Sequence, residues 1–141
     1  MTIFLDANIL VSVLNKEYPL YTYTSRIMSL AGKRPYVLKT SATCLAIAYY
    51  FAEKKHGAAA AKNKITLLLN YLHITDCGER EAMQAIANKK ANDFEDALQY
   101  YSAFNANCVC LLTDDVAGFY FSDIRVLHPE TFFNEYFLKK K

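Results

Sequence analysis

Apolar residues follow two rhythms along this chain: short unbroken runs, and longer stretches where they recur at every third or fourth position. The first run, Ile3-Phe4-Leu5, has no polar interruption, as expected of a strand covered on both faces in a parallel sheet. It ends on Asp6. Ile9, Leu10, Val13 and Leu14 then repeat at helical spacing behind Asn8, a residue suited to a helix cap. Lys16-Glu17-Tyr18-Pro19 breaks that helix. The pattern next predicts a helix over 23–30 that buries Ile27, Met28 and Leu30, a turn at 32–35, and a strand from Tyr36 that ends at Thr40-Ser41. Thr40 or Ser41 can cap a third helix through 42–52 that ends at Lys54-Lys55-His56-Gly57, and a fourth runs over 58–72. A third strand covers 72–75, followed by a helix over 79–88 with Met83 and Ile86 on one face. Asn92-Asp93 opens a helix over 94–104, whose expected apolar face is Phe94, Leu98 and Tyr101. A fourth strand, 108–112, ends at Thr113-Asp114-Asp115. A last strand covers 124–127, and a closing helix, 129–137, has Pro129 in its first turn. Strands alternating with helices predict an α/β fold, a mostly parallel central sheet of about four to five strands flanked by helices. Paired helices between strands suggest that some stand off the sheet and frame a groove.

Composition narrows the class. A chain of 141 residues, 53% hydrophobic and 21% charged, suits one globular domain over 1–141 with a real core. The net charge of +2 gives no global field for nucleic acid, so such a partner would rest on local basic clusters. The candidates are Lys54-Lys55, Lys62 with Lys64, Lys89-Lys90, and Lys139-Lys140-Lys141, the last expected as a frayed tail. Cys44, Cys77, Cys108 and Cys110 form no C-x-x-C pair and no zinc spacing. They read as small core residues in a reducing, cytoplasmic compartment. The apolar stretch 44–52 is too short to span a bilayer, no signal peptide is expected, and no membrane contact is implied. His56, His73 and His128 are scattered and read as structural.

The acids change the picture. Asp6 follows the first strand and Asp115 the fourth, while Asp93 and Asp96 open the helix just before the fourth strand, three apart and so on one face. Because that helix enters the fourth strand through a short loop, its start lies near the carboxyl edge of the sheet, beside Asp6 and Asp115. Ligands of open α/β sheets bind at this edge. Two carboxylates ~5 Å apart at an effective dielectric of ~20 repel by roughly 3 kcal/mol. Either a proton is shared or a metal sits there. Oxygen ligands alone favour Mg²⁺ or Mn²⁺, the equipment of phosphodiester chemistry. The plainer readings are a capping or turn carboxylate for Asp6, helix-terminus charges for Asp93 and Asp96, and a polar turn for Asp114-Asp115. Glu95 falls on a different helix face and reads as solvated.

The segments Phe4-Leu5-Asp6-Ala7-Asn8-Ile9-Leu10, Asp93-Phe94-Glu95-Asp96-Ala97-Leu98-Gln99-Tyr100-Tyr101-Ser102-Ala103, and Leu112-Thr113-Asp114-Asp115 with Phe119 resemble a PIN domain, and within it the VapC-like toxins of bacterial toxin–antitoxin pairs. The resemblance spans essentially the whole chain. It implies a PIN fold, a Mg²⁺- or Mn²⁺-dependent endoribonuclease, an RNA substrate, and a cognate antitoxin that plugs the groove. It implies Asp6, Asp96 and Asp115 as metal ligands, Asp93 as an additional catalytic acid, and Asn8 and Thr113 as groups that hydrogen-bond the carboxylates. It also implies products with a 3′-hydroxyl and a 5′-phosphate. Two positions depart from the pattern: Ile47 stands where the family places an acid on the third helix, and Gly118 stands where an acid precedes Phe119.

Two functional readings follow: a toxin-type nuclease, and a catalytically impaired module that keeps the fold and binds RNA or a protein. A metal-dependent phosphatase is set aside, because Asp6-Ala7-Asn8 lacks the second Asp that such an enzyme would use. Eleven Tyr and nine Phe residues mostly fill the core. Tyr18, Tyr21 and Tyr23 are also candidates for base stacking, a homodimer contact or an antitoxin contact.

Overall fold

The computed structural model describes residues 1–138, so the terminal lysine cluster lies outside the described residues. Five parallel strands form one sheet in the order β3-β2-β1-β4-β5. They are β1 Thr2–Leu5, β2 Val37–Ser41, β3 His73–Thr75, β4 Cys110–Leu112 and β5 Arg125–Leu127. β1 is central, and Ile3, Phe4 and Leu5 are all fully buried, as a strand covered on both faces requires. The chain builds outward from β1 through β2 and β3, then returns to place β4 on the other flank of β1. The sheet therefore has its topological switch between β1 and β4, and the crevice at their carboxyl ends is where such sheets hold ligands.

The helices are α1 Ala7–Leu14, α2 Tyr21–Met28, α3 Ala42–His56, α4 Ala58–Leu68, α5 Glu79–Ala87, α6 Phe94–Asn105 and α7 Pro129–Phe133. A 3₁₀ turn, Val116–Phe119, follows β4, and a π turn, Asn134–Leu138, follows α7. Ile27, Met28 and Leu30 are buried as expected, and so are Cys44, Cys108 and Cys110. No helix among the described residues is long and apolar enough to cross a membrane.

Several expectations need correction. Asp6, not Asn8, caps α1: its Oδ1 accepts from the Ala7 N–H at 2.8 Å. The helix α3 does end where expected, at Gly57, whose φ of +87° suits glycine. Met83 and Ile86, placed on one face of α5 by their spacing, are both exposed, so that face is not the buried one. The buried side of α6 is Ala97, Gln99, Tyr100, Ser102 and Ala103, not the Phe94, Leu98 and Tyr101 stripe. Small residues let α6 sit close to the sheet, and the Gln99 Oε1 and Ser102 hydroxyl find partners there, while Gln99 Nε2 has none among the described residues. Ser41 Oγ bonds Gln99 Oε1 at 2.5 Å, and Ser102 Oγ donates to the Asp76 carbonyl at 2.7 Å.

Candidate active site

A cleft of about 540 Å³ opens at the switch point. Asp6, Asp96 and Asp115 all line it, and so do Asn8, Glu17, Glu95 and Asp114. Each arrives for a local reason. Asp6 is the residue at which β1 ends and α1 begins, and its backbone N–H still donates to the Leu112 carbonyl of β4 at 3.0 Å. Asp96 sits in the first turn of α6, whose N-cap is Asp93: Asp93 Oδ1 accepts from the Asp96 N–H at 2.9 Å. Asp115 caps the 3₁₀ turn, its Oδ1 accepting from the Gly118 N–H at 3.3 Å.

Thr113 joins the strand ends. Its hydroxyl donates to Asp6 Oδ2 at 2.9 Å, and its oxygen accepts from Asn8 Nδ2 at 3.0 Å and from the Asp115 N–H at 3.2 Å. Two of its three partners are donors, so the single hydroxyl hydrogen is directed at the carboxylate. Asn8 also lies 3.4 Å from Asp6 Oδ2, and its Oδ1 accepts from the Asp114 N–H at 3.1 Å. Asp6 is thus accepting on both oxygens, with the Cys44 sulfur a further 3.9 Å from Oδ1.

Gly118 is part of the geometry. A Cβ there would stand 2.8 Å from Asp115 Oδ2 and 3.0 Å from Asp96 Oδ2. The two oxygens therefore lie no more than about 6 Å apart, and the space between them and the backbone admits only glycine without displacing a carboxylate.

The electrostatics follow. Burial raises the pKa of Asp6, against the Ala7 N–H and Thr113 hydroxyl that lower it, with Glu95 and Asp114 adding repulsion. Asp96 is pushed up to about 7, first by burial and then by the charges of Asp93, Asp6, Asp115 and Glu95. These mutual effects place the acids in one field.

Asp93 is exposed and is not among the lining residues; it bears on the site through Asp96. Glu95 is exposed, as expected, and it also lines the cleft beside Asp96. The helix meets the cleft with its first turn, so adjacent residues both face it. Glu17, in the break after α1, also lines it. No periodic signal marks either residue. Ile47 lines the cleft as well, on α3.

The donor set suits a hard divalent cation, since the converging side chains offer carboxylate oxygens and no thiolate or imidazole. Among the described residues no three His, Cys, Asp or Glu side chains are grouped tightly enough to hold an ion directly.

The chain is 29% identical over 134 residues to ribonuclease VapC1 of Aquifex aeolicus (strain VF5), covering 92% of each chain. Its fold is similar to that of VapBC2 from Rickettsia felis, solved bound to a DNA fragment from the promoter, with a TM-score of 0.70, 20% identity, and coverage of 91% of this chain and 98% of that one. It is also similar to Mycobacterium tuberculosis VapC20, a sarcin–ricin-loop-cleaving toxin, with a TM-score of 0.65, 18% identity, and coverage of 87% and 98%. The PIN domain model matches residues 2–117, a span that takes in every acid from Asp6 to Asp115, and the chain belongs to the PIN-domain family.

Proposed function

We propose that this protein is a metal-dependent ribonuclease, the toxin of a bacterial toxin–antitoxin pair, that hydrolyses RNA phosphodiester bonds. The observation that carries this reading is the meeting of Asp6, Asp96 and Asp115, from three distant segments, in one cleft at the switch point of the sheet. Kinship with ribonuclease VapC1 supports the activity, and likeness to VapBC2 supports an antitoxin as the protein partner. Asp6, Asp96 and Asp115 would hold Mg²⁺ or Mn²⁺, directly or through water. When bound, the ion supplies a Lewis acid for a phosphoryl oxygen and makes a water more acidic.

The chain's own contribution is orientation and charge. Thr113 and Asn8 hold the Asp6 carboxylate in one pose, as hydrogen-bond partners of ligating carboxylates do. Asp93 fixes the first turn of α6 and adds negative charge to Asp96. Asp96, pushed up to about 7, is only partly ionised near neutral pH, and a bound cation would favour its ionised form.

The test is cleavage of labelled structured RNA in Mg²⁺ or Mn²⁺, beside an Asp6→Asn variant. Cutting by the native chain alone is expected, with a 5′-phosphate on the product. A folded native protein that cuts no RNA with either ion would overturn the reading. One observation favours a second reading. Ile47, which cannot bind a metal, faces the cleft where the family places an acid. A module that binds RNA or a protein without cutting would then retain labelled RNA intact.

A further inference from the structure

Asp6 and Asp96 reach the cleft on different elements. Asp6 is framed by bonds from the Ala7 N–H and the Thr113 hydroxyl, and its own N–H is tied to the Leu112 carbonyl. Asp96 goes where α6 goes. That helix packs against β2, and the small side chains Ala97 and Ala103 are fully buried along it. Apolar contact of this kind has no direction. It presses a helix onto a sheet without fixing its position along its own axis. Two polar tethers supply that direction. Gln99 and Ser102 follow Asp96 at intervals of three, so all three share one face of α6. Both tethering residues are 1% exposed. Ser102 lies 2.5 Å from Thr75 Oγ1 at the end of β3 and donates to the Asp76 carbonyl. Gln99, one turn nearer the cleft, accepts at Oε1 from Ser41 Oγ. Ser41 is a junction. It ends β2 and caps α3, accepting from the Cys44 N–H at 3.0 Å. Its neighbour Thr40 donates to the carbonyl of Leu5, the residue before Asp6, at 2.8 Å. A run of bonds therefore connects the strand end that carries Asp6 with the turn behind Asp96.

Resting on the metal-dependent nuclease reading above, we propose that Gln99 is a positioning residue: its bond from Ser41 sets the axial position of α6 and so holds Asp96 against Asp6, where one cation can meet both. Stability does not account for the residue. Gln99 Nε2 is buried and finds no hydrogen-bond partner among the described residues, and an unpaired buried donor is destabilising. An apolar side chain of similar size would fill the same space without that donor. The polar side chain is explained by what it holds in place. A slide of one residue along a helix is about 1.5 Å. A misplacement of about 1 Å at a reacting group can lower a rate about a hundredfold. Gln99 acts only through Asp96, since it does not line the cleft itself.

The experiment uses the full chain and compares native protein with Gln99→Leu, Ser41→Ala, the double variant and Ser102→Ala. Gln99→Met, an unbranched substitute, is carried alongside in case leucine does not fold. Each protein is read three ways: urea unfolding in a chelating buffer, Mn²⁺ affinity from the electron paramagnetic resonance signal of the free ion, and kcat and KM on labelled structured RNA. Gln99→Leu should unfold close to the native midpoint, because removing the unpaired Nε2 offsets the Ser41 hydrogen left without an acceptor. It should nevertheless bind Mn²⁺ about tenfold more weakly. Its kcat should fall by up to about a hundredfold at unchanged KM. Ser41→Ala should lower the midpoint, since it also removes the α3 cap, but its loss of ion affinity should equal that of Gln99→Leu. The double variant should lose no more affinity than either, because all three lack one and the same bond. Ser102→Ala should lower the midpoint and leave ion affinity near native, since Gln99 still holds the turn beside the cleft. Native affinity and kcat in both Gln99 variants would overturn the proposal. So would additive losses in the double variant, or affinity that falls in step with the unfolding midpoint in every variant. Ion affinity is read without RNA. Weakened Mn²⁺ binding in Gln99→Leu, beside a native chain that cuts no RNA, would sink the nuclease reading while the positioning role stands. Native cutting with ion binding untouched by the substitution would do the reverse, and a native chain that binds no Mn²⁺ would sink both.

Discussion

Replacing Asp96 by Asn should make the ion-free protein more stable at alkaline pH. Burial, together with the charges of Asp93, Asp6, Asp115 and Glu95, lifts the Asp96 pKa from 3.8 to about 7. A rise of that size corresponds to ~4 kcal/mol at full strength. The carboxyl opens onto a wet cleft, so solvent screening reduces this to about 1–2 kcal/mol. The folded-state pKa lies above the unfolded one, so the fold favours the protonated form. Below about pH 4 both states carry the proton and no penalty exists. As pH rises from about 4 to about 7 the unfolded chain ionises first and stability falls, and above about 7 the whole penalty is in force. Asparagine carries no charge and escapes it. Urea unfolding in a chelating buffer should therefore show the two proteins alike near pH 4.5 and Asp96→Asn ahead by about 1–2 kcal/mol at pH 8. A divalent cation should reverse the order, since a ligand at a hundred times its Kd adds about 2.7 kcal/mol to the native chain. A difference independent of pH, or a variant less stable at pH 8, would refute the idea that Asp96 sits among uncompensated acids.

Glu95→Gln should leave the melting temperature nearly unchanged, because the residue is exposed, but should weaken Mn²⁺ binding severalfold in calorimetric titration. Its charge reaches both Asp6 and Asp96, so its loss lowers the field that attracts the ion. Gly118→Ala should also fold normally, since the atoms it meets are the ends of carboxylate side chains, yet it should push Asp115 and Asp96 out of register and cut both Mn²⁺ affinity and RNA cleavage. Unchanged ion binding in Gly118→Ala would show that the close approach has no bearing on the site.

Much of the architecture was legible because burial and chain order coincide in the central strands. Ile3-Phe4-Leu5 has to be covered on both faces, and that alone puts Asp6 at a sheet edge. The short loop between α6 and β4 brings the start of α6 to the same edge, so the convergence of Asp6, Asp96 and Asp115 follows from connectivity. What escaped was decided by polar satisfaction and by approach angle, which hydrophobic periodicity does not encode. Gln99 and Ser102 look like outward-facing residues until Ser41 and the Asp76 carbonyl supply partners. Once those positions turn inward, Phe94 rotates toward solvent and stays 47% exposed. Glu95 is hidden by the same rule: spacing assigns faces along a helix, whereas α6 presents its end to the cleft. Tyr18 stands out in the sequence together with Tyr21 and Tyr23, and spacing does not tell that Tyr18, of the three, lines the cleft.

Asp6 serves the fold and the cleft at once, and the hydroxyl of Thr113 separates the two duties. As N-cap of α1 the side chain needs only one acceptor oxygen, which asparagine also offers, so Asp6→Asn keeps the bond from the Ala7 N–H. The other oxygen is different. Thr113 Oγ1 already accepts from Asn8 and from the Asp115 N–H, leaving its hydrogen one outlet, Asp6 Oδ2. An amide nitrogen at that position sets donor against donor. The interaction is therefore conditional on the carboxylate, and a double-mutant cycle with Thr113→Val should reveal it. In the native background Thr113→Val removes a hydrogen bond to a charged acceptor, worth about 1.5–3 kcal/mol, and leaves two N–H groups short of an acceptor. In the Asp6→Asn background the hydroxyl has no such bond to lose, so the same change should cost at least about 1 kcal/mol less by urea unfolding. Equal costs in both backgrounds would mean that the hydroxyl is not what orients Asp6, and that the carboxylate owes its pose to the helix cap alone.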